Sequence, residues 1–207
     1  MNVIITGSER GIGKELAREV CRRGGMYYGF SRWADVDVSD YKTVKDAMSG
    51  LEHEVPEALI NNAGVVSIGS ILETNIEDWH RQVNVNLNGV FYCCKEYARI
   101  AKETGGVIVN IASTAGLGPR PGRAAYAATK AAVISLSLSL ARELKPYGIK
   151  VYCVCPGAVN TDMRKQIAPD DDFQHMLQPQ DVAKFIMDLI EKGNYLDGQI
   201  IELKENF

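Results

Sequence analysis

Short apolar runs alternate with amphipathic helical patterns along the whole chain of 207 residues. The apolar runs, each the length of a strand, lie at residues 2–6, 26–31, 57–61, 106–112, 149–155 and 198–203. The helical patterns lie at residues 12–24, 40–50, 77–103, 124–145 and 179–192. Such alternation is typical of a parallel sheet covered by helices. We therefore expect an α/β fold, a three-layer doubly wound parallel sheet.

Length, composition and charge favour one globular domain over residues 1–207 that binds small molecules. The chain is 46% hydrophobic and 24% charged, as is usual for a packed core. Its formal net charge of -3 creates no field that would draw it to nucleic acid or an anionic membrane. No apolar run approaches the ~18 residues of a membrane span. We expect neither nucleic acid nor membrane as a partner.

The cysteines and histidines show neither a disulfide framework nor a metal site. The five cysteines contain no CxxC pair, and the three histidines lie far apart in the sequence. We expect reduced core cysteines and no metal. The chain opens directly into an apolar run, without the pattern of a secretory leader, so we expect a cytoplasmic location.

A glycine-rich segment joins the first predicted strand to the first predicted helix. Glycines at such a turn let the backbone approach a pyrophosphate, to which the helix N-terminus presents free N–H groups. The segment predicts a dinucleotide site, although its GxxxGxG spacing alone would also suit a plain tight turn. The candidate cofactor-binding residues of this loop are Gly7, Ser8, Arg10, Gly11, Ile12 and Gly13.

Two tyrosine-lysine pairs have the four-residue spacing that places both side chains on one helix face. Tyr126 and Lys130 follow Ser113, which stands at the end of an apolar strand, where ligands of open parallel sheets bind. Tyr41 and Lys45 have no such partner, so we interpret Tyr41 as a half-buried aromatic residue.

Tyr126, Ser113 and Lys130 can together carry acid/base chemistry on a carbonyl or alcohol. Tyr126 would exchange a proton with the substrate oxygen, and Ser113 would hydrogen-bond that oxygen. Lowering a phenol pKa by ~3 units requires roughly 4 kcal/mol of differential stabilisation of the phenolate. We expect the Lys130 ammonium and a positively charged ring of the bound dinucleotide to provide it.

Six motifs in the same order resemble the short-chain dehydrogenase/reductase family in its single-domain form. They are TGSERGIG at residues 6–13, Asp37-Val38, NNAG at 61–64, NxxG at 86–89, Ser113 with the YxxxK at 126–130, and PGxxxT at 156–161. The resemblance implies an NAD(P)-dependent oxidoreductase acting on CH–OH groups, which transfers a hydride between NADP(H) and a carbonyl or secondary alcohol. A 3-oxoacyl thioester reductase, a sugar or small-carbonyl reductase, and a non-catalytic NADP(H)-binding redox sensor are the alternatives.

The resemblance also implies roles for individual residues. Lys130 would hold the nicotinamide ribose, and Asn86 would support a water that passes protons to Lys130. Asn84 lies outside the NxxG frame, so we expect it on a helix surface. Further implied cofactor contacts are Asp37, Val38, Asn62, Ala63 and Gly64 on the adenosine side and Pro156, Gly157, Val159 and Thr161 around the nicotinamide, with Thr161 at its carboxamide.

The chain departs from the family pattern after the second strand. Only residues 33–36 separate Arg32 from Asp37, whereas a parallel crossover needs about a dozen residues. We therefore expect the intervening helix to be absent and strand three to be reduced or absent. The sheet would then contain six well-formed strands in the order 2-1-4-5-6-7, which leaves open how Asp37 reaches the adenine.

The end of strand two favours NADP(H), with NAD(H) as the alternative. An NAD-selective site of this architecture places an acidic side chain there, but this chain has Ser31-Arg32. Arg32 can pair with a 2′-phosphate, and Arg10 can approach it from the glycine loop. Alternatively, both arginines are solvated and Asp35 or Asp37 accepts the ribose hydroxyls.

The helix at residues 124–145 is apolar or small nearly all around its axis. Such a helix is buried on more than one side, either within the core or also against a partner subunit. The resemblance implies a homodimer or homotetramer that buries this helix and the one at 77–103.

Overall fold

The computed structural model describes residues 1–193 and 197–204. Its sheet has six strands, all parallel, in the order β2-β1-β3-β4-β5-β6. The strands are β1 (Asn2–Thr6), β2 (Met26–Phe30), β3 (Ala58–Asn61), β4 (Gly106–Ile111), β5 (Ile149–Pro156) and β6 (Ile200–Leu203). This order is the predicted one once the missing strand is counted as the third, and the predicted fold class is confirmed.

Helices cover both faces of the sheet. They are α1 (Gly11–Arg22), α2 (Tyr41–Ser49), α3 (Ile76–Val83), α4 (Gly89–Ala101), α5 (Ala124–Glu143), α6 (Asp162–Ile167) and α7 (Pro179–Lys192). Because side chains alternate along a strand, Ile4 faces the core under α2, α4 and α5, whereas Val3 and Ile5 face the core under α1 and α7. This double burial explains why the inner strands of the sheet are almost wholly apolar.

A compact turn replaces the missing helix and strand after β2. Arg32–Ala34 form one 3₁₀ turn, and Asp35 then adopts a left-handed conformation with φ 56°. The amide of Val36 donates to the carbonyl of Ser31 at 3.0 Å, so the chain reverses within a few residues. Among the described residues, no strand forms here.

The predicted helix at 77–103 contains one π-helical turn. Asn84–Asn88 form this turn between α3 and α4. One extra residue in a turn changes the helical phase without ending the helix, and π turns of this kind frequently occur at functional sites. The short helix α6 was not predicted, because its six residues have no clear apolar period.

Four of the five cysteines are buried, as predicted, but Cys21 is exposed. On α1 the residues Leu16, Ala17 and Val20 face the sheet, and a helix turns about 100° per residue, so Cys21 points outward.

Helix α5 is the one described helix that is long and apolar enough to cross a membrane by length and composition alone. Residues such as Val133 and Ile134 pack into the core, whereas its opposite side exposes small residues, Ala128, Ala131 and Ser135 among them. Within this chain α5 is therefore a core helix on one side and uncovered on the other.

Candidate active site

A cavity of about 1090 Å³ opens at the carboxyl ends of the strands. Its volume is at the upper end of the range typical of small-molecule sites. The predicted site residues that line it are Gly7, Arg10, Gly11, Ile12, Ser31, Arg32, Asp37, Val38, Asn62, Ala63, Gly64, Ser113, Tyr126, Lys130, Pro156, Gly157, Val159 and Thr161. Ser8, Gly13 and Asn86 were also predicted, but they lie behind the lining.

The glycine loop has the shape that a pyrophosphate requires. Gly7 has φ +66°, which favours glycine, and α1 begins at Gly11 without a side-chain cap on its free N–H groups. A Cβ at Gly13 would lie 2.1 Å from the carbonyl oxygen of Gly7. Gly13 therefore serves the close packing of the helix on the loop, which explains why it does not line the cavity.

Hydrogen bonds join the end of β3 to the end of β1 beneath this loop. The buried Thr6 hydroxyl accepts from the amides of Asn62 and Ala63, each at 2.9 Å. The Asn62 side-chain amide donates to the carbonyl oxygens of Thr6 and Gly7, each at 3.0 Å. The side chain of Asn62 thus holds the loop, and Thr6 is a positioning residue that the sequence analysis missed.

Asp37 reaches the cavity through the compact turn, but its carboxylate already has partners. Its Oδ1 accepts from the amide and hydroxyl of Ser39 at 2.9 and 2.7 Å, and its Oδ2 lies 3.1 Å from Arg32 Nε. Burial alone would raise the pKa of Asp37, but these hydrogen bonds and Arg32 keep it below its usual value. Val38 packs against Gly89 at the start of α4.

Two further residues, at the same end of the cavity as Asp37, were missed by the sequence analysis. Glu9 lies next to Ser31, whose hydroxyl donates to Glu9 Oε1 at 3.1 Å. Trp33 lines the cavity with 87% of its surface exposed. Its position in the short connection beside Arg32 was the available signal, because a large aromatic residue so exposed is unusual unless it contacts a partner or ligand.

Ser113, Tyr126 and Lys130 converge at the other end of the cavity. Ser113 follows β4, and its hydroxyl accepts from the amide of Ala115 at 3.1 Å. Tyr126 lies in the first turn of α5, with Lys130 one turn later, and Lys130 Nζ is 5.8 Å from the centre of the Tyr126 ring. Lys130 Nζ also donates to the carbonyl of Ile111 at 2.8 Å.

Burial sets the protonation states of this pair. It lowers the pKa of Lys130 to about 8, with the thiols of Cys153 and Cys155 acting in the opposite direction. It raises the pKa of Tyr126, although a hydrogen bond with Ser113 and the charge of Arg123 both oppose the rise. The protein's own groups therefore keep the phenol protonated at neutral pH. The lower phenol pKa expected from the sequence is not produced by these groups.

Asn86 lies in the π-helical turn and is fully buried. Its Oδ1 accepts from the amide of Val65 at 2.8 Å, and its Nδ2 donates to the carbonyl of Val65 at 2.9 Å and to Thr129 Oγ1 at 3.2 Å. A Cβ built on Gly64 would lie 3.5 Å from Asn86 Oδ1 and 3.9 Å from Lys130 Nζ. Asn86 thus supports the wall next to Lys130, whereas Asn84 is exposed.

The second tyrosine-lysine pair lies away from the cavity. The Tyr41 hydroxyl donates to Oε1 of the buried Glu96 at 2.7 Å, and its ring packs against Tyr92 with centres 5.3 Å apart. Arg99 also binds Glu96, through Nε at 2.7 Å. Tyr41 therefore satisfies a buried carboxylate and ties α2 to α4.

We expect Lys130→Met to reveal the lowered lysine pKa through the pH dependence of unfolding. A folded-state pKa of about 8 lies below the unfolded value near 10.4, so burial of the charge costs roughly 3 kcal/mol below pH 8. That cost is relieved as pH rises from 8 towards 10.4. The gain in unfolding free energy of the variant over wild type, from urea titrations, should therefore shrink by ~3 kcal/mol between pH 7 and 10.4.

The same substitution at the exposed Lys184 controls for loss of a surface charge. If the effect of Lys130→Met were independent of pH, the lowered pKa would be wrong.

The chain resembles one known protein family and individual dehydrogenases. The profile of the short chain dehydrogenase family matches residues 29–172. Meso-2,3-butanediol dehydrogenase of Serratia marcescens is 35% identical over 182 residues, covering 78% of this chain and 72% of the relative.

Two solved structures match almost the full chain. The structure of ElxO with NADP bound has a TM-score of 0.88 and 28% identity, covering 97% of this chain and 96% of the other. A 3-oxoacyl-[acyl-carrier protein] reductase from Brucella melitensis with bound NAD has a TM-score of 0.81 and 27% identity, covering 98% and 88%.

The family match extends over more than half of the chain, and the fold and the glycine loop described above agree with it. Both structural neighbours carry a nicotinamide cofactor. The chain therefore belongs to the short-chain dehydrogenase/reductase family of oxidoreductases, which act on CH–OH or carbonyl groups.

Proposed function

We propose that this enzyme transfers a hydride between NADP(H) and a carbonyl or secondary alcohol, with Tyr126 as the acid/base. The observation that carries the proposal is the convergence of Ser113, Tyr126 and Lys130 on one end of a cavity whose other end holds the glycine loop. A nicotinamide cofactor bound across this cavity would supply the hydride. Its pyrophosphate would lie at the N-terminus of α1.

Side chains of the protein would transfer the proton and stabilise the negative charge that develops on the substrate oxygen. In reduction, the protonated Tyr126 phenol donates its proton to the substrate oxygen, and the Ser113 hydroxyl hydrogen-bonds the same oxygen. Lys130 donates one hydrogen to Ile111, which leaves two of its ammonium donors for the phenol and a ribose hydroxyl. Asn86 would support the cavity wall next to Lys130 and a water that passes protons to Lys130. Thr161 would bind the carboxamide of the nicotinamide.

Tyr126→Phe removes the transferable proton but keeps the ring, so we expect at least a ~10²-fold loss of rate with the fold retained. Tyr41→Phe is the matched control. It should leave turnover unchanged while lowering the unfolding free energy, because Glu96 loses a hydrogen bond. Turnover would be followed by NADPH absorbance with a panel of carbonyl substrates. Equal effects of the two substitutions on turnover would contradict the choice of Tyr126, and tight NADPH binding without any turnover would favour the redox sensor.

The preference for NADP(H) rests on Arg10, Arg32 and Ser31, which line the adenosine end of the cavity. Glu9 and Asp37 line the same end and would repel a 2′-phosphate. Glu9 in particular lies beside Ser31, where an acid could accept ribose hydroxyls instead, so NAD(H) is the second candidate. We favour NADP(H) because Arg32 can exchange its exposed pairing with Asp37 for a phosphate.

We expect kcat/KM to be higher with NADPH than with NADH, and Arg32→Ala to reduce this preference by about tenfold through loss of a charged hydrogen bond. Glu9→Gln should change the preference in the opposite direction, because it removes a negative charge next to the phosphate. Steady-state kinetics with both cofactors would test this. A wild-type preference for NADH that Glu9→Gln weakens would assign the site to NAD(H).

A cofactor bound in the proposed orientation would have its adenine near Trp33. The chain has two tryptophans, Trp33 and Trp79, so Trp79→Phe leaves Trp33 as the single indole. In this variant 2′,5′-ADP should quench the fluorescence by stacking or close contact, whereas Trp33→Phe should show little change on binding. Quenching in Trp33→Phe alone would place the adenosine elsewhere.

We also propose a homodimer or homotetramer in the cytoplasm. The uncovered side of α5 exposes small residues that allow close helix packing, and Phe91 on α4 is also exposed. We expect light scattering at micromolar concentration to give a multiple of the 22.8 kDa chain mass. A single-chain mass would contradict the proposed assembly.

A further inference from the structure

We propose that the carbonyl substrate carries an anionic group, a carboxylate or a phosphate, that binds to Arg81, Arg120 and Arg123 at the reacting end of the cavity. This inference rests on the proposed function, since it assigns the substrate class of the same site. All three arginines line the cavity.

Arg120 and Arg123 belong to the loop between Ser113 and Tyr126. Arg120 donates through Nη2 to the carbonyl of Thr114 at 3.4 Å, which places its guanidinium next to the residue that follows Ser113. Arg123 immediately precedes α5, and its charge acts on the Tyr126 phenol. Both cations are therefore close to the groups that would act on the substrate oxygen.

Arg81 lines the cavity from a second element, helix α3. It lies near the end of α3, which packs against α5. The loop before α3 is joined to the loop that carries Arg120 and Arg123 by a hydrogen bond from the Gly69 amide to the Gly122 carbonyl at 3.0 Å. The two elements thus border the same opening, with Val66 and Val85 as apolar lining beside Arg81.

The pairing of the arginines separates these three from most others in the described residues. Six arginines form ion pairs with carboxylates: Arg18, Arg22, Arg23, Arg32, Arg99 and Arg164. In the described part of the chain, Arg81, Arg120 and Arg123 have no carboxylate partner, and neither do Arg10 and Arg142. Four of these five line the cavity, so unpaired guanidinium groups are concentrated there.

The acidic residues near the reacting end do not cancel this charge. Asp162 follows Thr161 and lines the cavity, whereas Glu9 and Asp37 line its adenosine end. Arg164, a fourth cation of the lining, is already bound to Asp171. Guanidinium groups match carboxylate and phosphate oxygens, and like charges in a cleft concentrate an oppositely charged ligand. An anion held here would place a carbonyl a few atoms away over Ser113 and Tyr126.

The test compares carbonyl substrates in pairs that differ in charge: 3-oxobutanoate with its methyl ester, 2-oxobutanoate with its methyl ester, and glyceraldehyde 3-phosphate with glyceraldehyde. The readout is the ratio of kcat/KM for the anionic member to that for the neutral member. Any general effect of a variant on Tyr126 or on cofactor binding cancels in this ratio.

We expect the anionic member to be favoured by about tenfold or more in at least one pair, and increasing salt to reduce the preference. Arg81→Gln, Arg120→Gln and Arg123→Gln should each reduce the ratio, by about tenfold where the guanidinium bonds directly to the anion. Arg142→Gln, at an exposed and equally unpaired arginine of α5 outside the cavity lining, should leave the ratio unchanged. A preference limited to the carboxylate pairs or to the phosphate pair would identify the anion.

A preference for the neutral member in every pair that reacts would overturn the inference and leave the proposed function intact. Ratios that respond to the three cavity variants no more than to Arg142→Gln would do the same. If no member of any pair reacts while NADPH fluorescence reports binding, the proposed hydride transfer to a carbonyl itself is overturned.

Discussion

The hydrogen bonds between Thr6 and the end of β3 hold the floor of the site beneath the glycine loop. One hydroxyl accepts from two consecutive amides, and the Asn62 side chain returns two bonds to the carbonyls of β1 and the glycine loop. These bonds hold two neighbouring strand ends together at the floor of the cavity. Because the glycine loop and the start of α1 continue from the same residues, the position of a bound pyrophosphate depends on them.

The compact turn after β2 has consequences at the adenosine end. It omits a crossover, so Arg32, Asp37 and Trp33 are brought into one short segment opposite Glu9 and Arg10. Two cations and two carboxylates then share one end of the cavity, where Arg32 is paired with Asp37 and Arg10 has no carboxylate partner in the described part of the chain. We therefore expect cofactor selectivity to depend on the balance of these four charges.

Much of this architecture could be predicted from the sequence because its signals are local. Runs such as Val3-Ile4-Ile5 have the length and apolarity of strands buried on both faces, and the four-residue spacing from Tyr126 to Lys130 requires only helical geometry. The π-helical turn was not predictable in this way, because a helical period continues on both sides of it and no local signal marks the added residue.

The missed features depend on contacts between distant segments. Glu9 accepts a hydrogen bond from Ser31, which is far from it in the sequence but next to it in the cavity lining. The role of Asn86 was predicted, but its contacts with Val65 and Thr129, which join three distant segments, were not. The pairing of arginines is likewise a property of the fold, since only the structure shows that Arg32 has a carboxylate partner, whereas Arg81 has none among the described residues.

Burial has a shared effect on the two titratable groups of the reacting end. It disfavours the charged form of each, so the pKa of Lys130 falls to about 8 while that of Tyr126 rises. The lysine is thereby brought near physiological pH, where it can gain or lose a proton at little cost, and the phenol is kept in its proton-donating form. The charge of Arg123 opposes the rise in the Tyr126 pKa, and an anion bound to Arg123 would weaken that opposition. The same negative charge would favour the charged form of Lys130. A substrate anion bound as proposed would therefore influence proton transfer at this site in addition to its role in binding.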